Sequence, residues 1–274
     1  MNRITGLLTI LLVGCSRPEP TAVPMSQPAT GHVAGRVVWD GPVPRVEAIQ
    51  APNKPADYTD RSPAVPRSNP HLPRIDATTN GLADAIVLLR GIDPARARTW
   101  DHPPVRVEIA DGRMLVHQGD RTGMTGLVRA GDSVEFVSRE PGPHLIRARG
   151  VEFFSQPLSR PDVARSRAMT RPGFVELSSG SGYFWMRGHL LVAEHPHVAI
   201  TDATGRFEMK DIPEGEFEVV ARLPNWRESG HDLNADTGFR TATRFAEPLT
   251  RAARIAVRAG QRTEVPALAF AARP

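Results

Sequence analysis

Residues 174–220 read FVELSSGSGYFWMRGHLLVAEHPHVAITDATGRFEMKDIPEGEFEVV and show the clearest structural pattern in this chain. The first half ends in an apolar strand at residues 188–192. The second half alternates apolar and polar positions on both sides of a Pro-Glu-Gly turn at residues 213–215. Alternation with a period of two is typical of a half-buried strand. The pattern predicts a β-hairpin whose inward-facing side chains are Phe207, Met209, Phe217, Val219, Ala221 and Leu223.

The composition extends this prediction to the whole chain. Its 274 residues are 40% hydrophobic, enough for one large or two small cores, and include 23 Gly and 26 Pro. Proline at that frequency would interrupt most helices, so the composition predicts an all-β protein. The net charge is +4, and Lys occurs only at Lys54 and Lys210. The arginines are dispersed among acidic residues, which predicts that nucleic acid is not a partner.

The N-terminus predicts export. Residues 1–14, MNRITGLLTILLVG, carry Arg3 before an apolar run that is shorter than the roughly 20 residues of a membrane span. This layout is typical of a secretory signal peptide. The only cysteine, Cys15, could be an ordinary buried cysteine at the end of an apolar run.

The run that ends at Cys15, Leu-Val-Gly-Cys, resembles the lipobox of bacterial lipoproteins. The resemblance implies cleavage before Cys15 and lipidation of its thiol, so the membrane becomes a partner through the N-terminal lipid. The expected location is the periplasmic or cell-surface side. Ser16 favours the outer membrane where the cell has one. Residues 15–30 are Pro-rich and are expected to form an extended tether.

The remaining elements are predicted from turn signals and apolar runs. A strand begins near Val33, a long surface connection covers residues 43–74, and residues 85–89 form a strand buried on both faces. Asp93-Pro94 is expected to start one helical turn that reaches Trp100. Further expectations are a short helix at 163–169 and a closing hairpin that joins 254–257 to 264–270.

The segment HPHVAITDATGRFEMKDIPEGEFEVV resembles the carboxypeptidase-regulatory-like, or prealbumin-like, β-sandwich. GHVAGRVV at 31–38 is similar to the first strand of that family. The resemblance implies one sandwich formed by residues 31–100 and 195–274. The matching motif positions are Thr201, Asp202, Gly205, Phe207, Ile212, Pro213, Gly215 and Phe217.

Residues 101–194 resemble a cupredoxin domain of the methylamine-utilisation-protein-like kind. The matches are the Ala-Gly-Asp turn at 130–132 before VEFV, His144 at the start of the next strand, Pro172-Gly173 before a further strand, and Trp185-Met186 after it. The resemblance implies a second β-sandwich inserted in the first. Three consecutive β units without insertion are the alternative.

The cupredoxin resemblance also implies a copper site, and its ligand positions can be carried over. Such domains hold copper with a His that opens one strand and a Cys-x-x-His-x-x-Met loop. The first His falls on His144 and the Met on Met186, but the second His falls on Tyr183 and the Cys on Gly180. No Cys follows residue 15. Blue copper needs a thiolate ligand, so His144 and Met186 are interpreted as relics, and no cofactor is expected.

The loop that replaces the metal ligands ends in Tyr183, Phe184 and Trp185. Two interpretations stay open: a structural loop that closes the former metal pocket, or a ligand platform whose rings stack on an envelope glycan. Another envelope protein is a further candidate partner.

Two weaker ion sites complete the candidates. Met186 with His189, His195 and His197 could hold non-blue copper through imidazole and thioether ligands. Asp232, Asn234 and Asp236 resemble the start of a calcium loop, although Gly238 comes one position late. No motif of hydrolases, zinc proteases or phosphate-binding loops occurs, so the chain is predicted not to be an enzyme. The expected function is binding or scaffolding in the cell envelope.

Overall fold

In the computed structural model, the protein is described over residues 29–52, 62–236, 238 and 240–271. The predicted signal peptide, Cys15 and nearly all of the predicted tether lie outside these residues. Within them the regular secondary structure consists of strands and a single 3-10 turn. In chain order these are β1 (Thr30–Trp39), β2 (Ile49–Ala51), β3 (Val65–Arg67), β4 (Ile86–Arg90), the 3-10 turn Pro94–Arg96, β5 (Val105–Ala110), β6 (Arg113–Gln118), β7 (Arg121–Gly123), β8 (Thr125–Arg129), β9 (Ser133–Ser138), β10 (His144–Gly150), β11 (Phe154–Leu158), β12 (Arg165–Ala168), β13 (Gly173–Ser179), β14 (Arg187–Ala193), β15 (Val198–Ile200), β16 (Arg206–Pro213), β17 (Gly215–Leu223), β18 (Glu228–Leu233), β19 (Arg240–Phe245), β20 (Leu249–Val257), β21 (Arg262–Glu264) and β22 (Leu268–Phe270).

The first sandwich is built from the two ends of the described chain. In one sheet β1 lies between β16 on one side and β21 and β22 on the other, and the facing sheet has the order β15-β4-β17-β20. The inner faces of both sheets meet in one apolar core that includes Val33, Leu89, Phe207 and Val219. The period-two pattern explains this core, because alternate residues of each strand point to the same face.

The second sandwich is built from β5 to β14. Its two five-stranded sheets have the orders β11-β10-β13-β14-β8 and β12-β9-β5-β6-β7. Val107, Phe136, Ile146 and Leu177 belong to the core between them. The predicted all-β sandwich class is therefore confirmed.

The two sandwiches touch through a smaller apolar cluster that includes Ile86, Leu127, Leu191 and Val198. Along the chain, β5 to β14 lie between β4 and β15, and both of these strands belong to the first sandwich. The predicted domain boundaries near residues 100 and 194 stay predictions.

The predicted hairpin around Pro213–Gly215 is wrong, although the side chains predicted to face inward are buried. β16 pairs with β1, whereas β17 pairs with β4 and β20 in the facing sheet. The chain therefore crosses the core at Glu214 instead of turning back beside itself. Alternation shows which side chains are buried but carries no information about the neighbouring strand.

The predicted closing hairpin is also wrong. β20 pairs with β17, and the chain then turns at Gly260 (φ 67°) and crosses to the other sheet. There β21 and β22 run parallel to β1. The Ala-Gly signal does mark a turn, but a turn can join two sheets as well as two neighbouring strands.

Three local predictions need correction. The helix expected at 163–169 is the edge strand β12, which pairs with β9 and exposes all four of its side chains. The helical turn that starts at Asp93 ends at Arg96, before Trp100. The connection at 43–74 contains the short β2–β3 hairpin.

Among the residues described here, no helix has the length and apolar character needed to cross a bilayer.

Candidate functional site

The positions carried over from the copper resemblance lie at one end of the second sandwich. His144 opens β10 and is 3% exposed, and Met186 precedes β14 and is 1% exposed. The rings of His144 and Tyr183 are 5.0 Å apart between centroids. Nε2 of His144 lies 3.2 Å from Oε2 of Glu140. Burial lowers the pKa of His144, and the adjacent Glu140 carboxylate offsets only part of that effect.

The loop before Met186 is closed by its own hydrogen bonds. The Gly180 amide donates to the Leu145 carbonyl (2.6 Å), and the Leu145 amide donates to Oγ of Ser181 (2.8 Å). The Met186 amide donates to the Tyr183 carbonyl (2.9 Å). A side chain at position 180 would begin 2.9 Å from a methyl group of Leu145. The loop is therefore folded tightly against β10.

The copper site implied by the resemblance does not fit these residues. Gly180 supplies no donor atom, and Tyr183 stands where an imidazole is needed. Nδ1 of His144 is buried and has no hydrogen-bond partner in the described part of the chain. One imidazole nitrogen and one thioether remain, which is less than the His₂Cys set of a blue-copper centre.

The aromatic residues of the loop are mostly packed inward. Phe184 is 2% exposed and Trp185 is 5% exposed. The Trp185 indole donates to the Gly112 carbonyl (2.9 Å), and the guanidinium of Arg240 lies 5.0 Å from the Phe184 ring centroid. Only Tyr183 is partly exposed. This burial favours the structural loop over the ligand platform, because a stacking ligand needs an open ring face.

A second group of polar side chains lies where the two sandwiches meet. His189 of β14 contacts His71 of the β3–β4 connection, with 3.0 Å between their Nε2 atoms. His71 Nδ1 lies 2.8 Å from the Asn225 carbonyl, which can only accept, so Nδ1 carries the proton. The lone pair on His71 Nε2 then accepts from Nε2–H of His189. The chain His189–His71–Asn225 is thus hydrogen-bonded throughout.

Both imidazoles are neutral near pH 7. Burial lowers the pKa of His71 to about 4, against a weaker opposing effect of its hydrogen bond to Asn225. Burial also lowers the pKa of His189 well below the ordinary value, and the positive charges of Arg187 and Arg222 add to this. Sequence analysis missed His71, since it sits alone between prolines in an irregular connection and no periodic pattern marks it.

The histidine pair lines a pocket of about 240 Å³ between the sandwiches. Other lining residues are Ile86, Arg149, Phe174, Glu176, Arg222 and Glu247. Behind it, Arg187 is 3% exposed, with Nε 3.1 Å from Oε1 of Glu176. The lining of the pocket therefore combines apolar side chains with two arginines and two carboxylates.

The predicted non-blue copper residues are divided among three places, and Met186 is buried in the core of the second sandwich. His189 pairs with His71, whereas the rings of His195 and His197 face each other at 5.7 Å. His197 is fully buried, and burial followed by the nearby positive charges lowers its pKa to about 4. Within the described residues, no group of three or more His, Cys, Asp or Glu side chains is placed to hold a metal ion.

The residues predicted as a calcium loop form a turn. Oδ1 of Asp232 pairs with the Arg244 guanidinium. Oδ1 of Asn234 accepts from the Asp236 amide (3.0 Å), and its carbonyl accepts from the Gly238 amide (2.9 Å). Acceptance by an Asn side-chain oxygen from the amide two residues later is typical of an Asx turn.

Comparisons with known proteins found likeness in structure only. No protein-family model matches the chain, and no curated protein matches its sequence. An oxidised variant of amicyanin is 24% identical over 33% of this chain and 82% of its own, with a TM-score of 0.27. Amicyanin from Paracoccus versutus is 19% identical over 39% and 97%, with a TM-score of 0.27. A purple cupredoxin from Nitrosopumilus maritimus is 15% identical over 33% and 99%, with a TM-score of 0.26. At these TM-scores the likeness assigns neither a family nor a function.

Proposed function

We propose that this chain is a non-catalytic, lipid-anchored protein of the bacterial cell envelope. In this proposal its two β-sandwiches bind or scaffold, and a cupredoxin-like part has lost its blue-copper site. The N-terminal sequence supports the anchor, because Cys15 follows a short apolar run and is the only cysteine of the chain.

The observation that carries the loss of copper is the environment of His144. Its Nε2 is 3.2 Å from Glu140, and the Tyr183 ring lies beside it where a second imidazole ligand would stand. Gly180, the residue that corresponds to the thiolate in the resemblance, has no side chain, and hydrogen bonds hold its loop against β10. These contacts support a site that is closed by internal partners.

A second candidate, non-blue copper handling, is favoured by one specific observation. Nδ1 of His144 is buried without a partner among the described residues, and a neutral imidazole nitrogen is the commonest type of metal ligand. Met186 is buried in the core cluster against which Tyr183 packs, and the Tyr183 ring contacts His144. This candidate ranks second because two ligands bind copper weakly without a third.

Two experiments test the proposal on the full-length chain expressed in a bacterium with lipoprotein-processing enzymes. Radiolabelled palmitate should label the protein and place it in the membrane fraction, and Cys15→Ser should abolish both. Equal labelling of Cys15→Ser would contradict the anchor.

The second experiment adds Cu²⁺ to the purified protein and records metal content and visible absorption. We expect no intense absorption in the red. Such a band would contradict the loss of the blue-copper site. Stoichiometric copper without that band, lost in His144→Ala but kept in His231→Ala, would select the second candidate.

A further inference from the structure

We propose that the pocket between the sandwiches binds a small organic anion, a carboxylate on a short apolar body, and that Arg222 anchors the carboxylate. This inference deepens the proposed binding role and rests on it. It does not involve the region around His144. Its pocket is the 240 Å³ space lined by Ile86, Phe174, His189 and Arg222.

Arg222 is placed as a ligand-binding arginine. It is half-buried on β17, where its backbone pairs with Ile86 of β4. Its guanidinium carbon lies 3.9 Å from the centroid of the Phe174 ring. In the described part of the chain, no hydrogen bond or ion pair to its guanidinium occurs, and stacking on Phe174 is its direct contact.

Stacking occupies the face of the guanidinium and leaves its N–H edge free. A guanidinium carries five N–H donors, and none of those of Arg222 is a buried donor without a partner, so its edge is open to solvent and to a ligand in the pocket. Two parallel N–H groups match the two oxygens of a carboxylate, and such charge-assisted pairs are the strongest hydrogen bonds in proteins. The free edge of Arg222 therefore favours a carboxylate.

The charges around the pocket also favour an anion over a metal ion. Among the lining residues, Arg149 and Arg222 balance Glu176 and Glu247, and both carboxylates act on Arg222. The buried Arg187, which pairs with Glu176 behind the wall, leaves the whole group with one positive charge in excess. The histidine pair adds no charge while it is neutral. The lone pair on Nε2 of His71 already accepts the hydrogen bond from His189. A cation would meet positive charge and no free imidazole nitrogen between the rings.

The walls of the pocket are fixed by contacts that do not depend on a ligand. His71 is held by the Asn225 carbonyl at 2.8 Å, and the Asn225 side-chain amide donates to the Glu247 carbonyl at 2.9 Å. His189 lies within the β13–β14 pairing. Preformed walls lower the ordering cost of binding.

The size and the apolar lining define the body of the ligand. The volume of 240 Å³ is below the roughly 300–1,000 Å³ of pockets for drug-sized molecules, so the ligand is small. Ile86, Phe174, Pro224 and Phe245 supply the apolar surface. A benzoate-sized carboxylate matches these properties.

The test is calorimetric titration of the full-length protein in detergent with benzoate and with its neutral isostere benzamide. Benzoate should bind, and benzamide should bind at least about tenfold more weakly, because it lacks the charge. Arg222→Gln should weaken benzoate binding by about tenfold or more, and Arg222→Lys should weaken it by less.

Arg167→Gln is the matched control, because Arg167 also stacks on a phenylalanine, at 4.2 Å from the Phe154 ring, but lies outside the pocket. It should leave binding unchanged. Far-ultraviolet circular dichroism of each variant checks folding, and Arg222→Lys keeps the test valid where Arg222→Gln does not fold.

Three results would overturn the inference. These are no benzoate binding by the unmodified protein, equal binding of benzamide, or equal binding by the Arg222 variants. Binding of Cu²⁺ or Zn²⁺ that His71→Ala abolishes would also overturn it in favour of a metal site. The first three results leave palmitate labelling and copper content unchanged. Copper bound at His71 is retained in His144→Ala, whereas copper bound at His144 is lost in that variant, so failure of this inference is distinguishable from failure of the proposed function.

Discussion

Acid should destabilise this protein through the buried His71, and His71→Gln should remove that part of the pH dependence. His71 is 6% exposed, and its pKa falls from 6.5 to about 4 on folding. Because the folded pKa is the lower one, the unfolded chain takes up the proton first as the pH falls. Stability is therefore greatest above the unfolded pKa and is lost from about pH 6.5 down to about pH 4.

The size of the effect follows from the same two values. Each pKa unit corresponds to about 1.4 kcal/mol, so the complete loss below pH 4 is about 3 kcal/mol. Between pH 7 and pH 5 the linkage relation gives a loss of about 2 kcal/mol from His71 alone. His189 is coupled to His71 and adds a further loss in the same direction.

Urea unfolding at pH 7, 6 and 5, followed by tryptophan fluorescence, measures the free energy of unfolding at each pH. His71→Gln keeps a side-chain N–H for the Asn225 carbonyl. Its loss of stability between pH 7 and pH 5 should be smaller than that of the unmodified chain by about 2 kcal/mol. His231→Gln, at an exposed position on β18, controls for the replacement of a histidine. An equal loss in the unmodified chain and in His71→Gln would refute this reasoning.

Three further predictions test the fold and the region around His144. Gly205→Ala should destabilise the protein by more than about 1 kcal/mol, because Gly205 has φ 77° and a Cβ there would lie 2.2 Å from a main-chain oxygen of β1. In the matched control Gly131→Ala, at φ 98° with open space around it, the loss should be smaller; equal losses by urea unfolding would contradict the steric argument. Glu140→Gln should lower the pKa of His144 further, since the Glu140 charge raises it, and NMR titration that finds a higher pKa would contradict this. Trp185→Ala should cost about 3–5 kcal/mol in urea unfolding, because the indole is buried and hydrogen-bonded; a change near zero would revive the ligand platform.

Much of the local structure could be predicted from the sequence. The Asp111-Gly112 turn adopts positive φ angles of 50° and 67° and joins β5 to β6, as its residue types favour. Phe207, Met209 and Phe217 are buried as their spacing indicates. These features are local, because they depend on the backbone preferences of a few residues and on the period of a strand.

The candidate site could be predicted only in part. The resemblance to a family motif marks the positions of His144 and Met186, whereas the sequence indicates His189 only as a weak copper ligand. Neither His71 nor Arg222 was singled out. Arg222 stands between buried apolar neighbours on β17, which is the position of an ordinary outward-facing charge. Its role depends on Phe174, which comes from the other sandwich and is distant in sequence.

The sequence by itself determined the all-β class, the buried face of most strands and the positions of the turns, because short-range sterics and the period of two are properties of neighbouring residues. Only the tertiary structure decided that β16 and β17 lie in opposite sheets, that β21 and β22 return to β1, and that His71 meets His189. Strand partners and contacts between sandwiches join residues far apart along the chain. They follow from burying all the apolar faces at once, a condition that no local pattern contains.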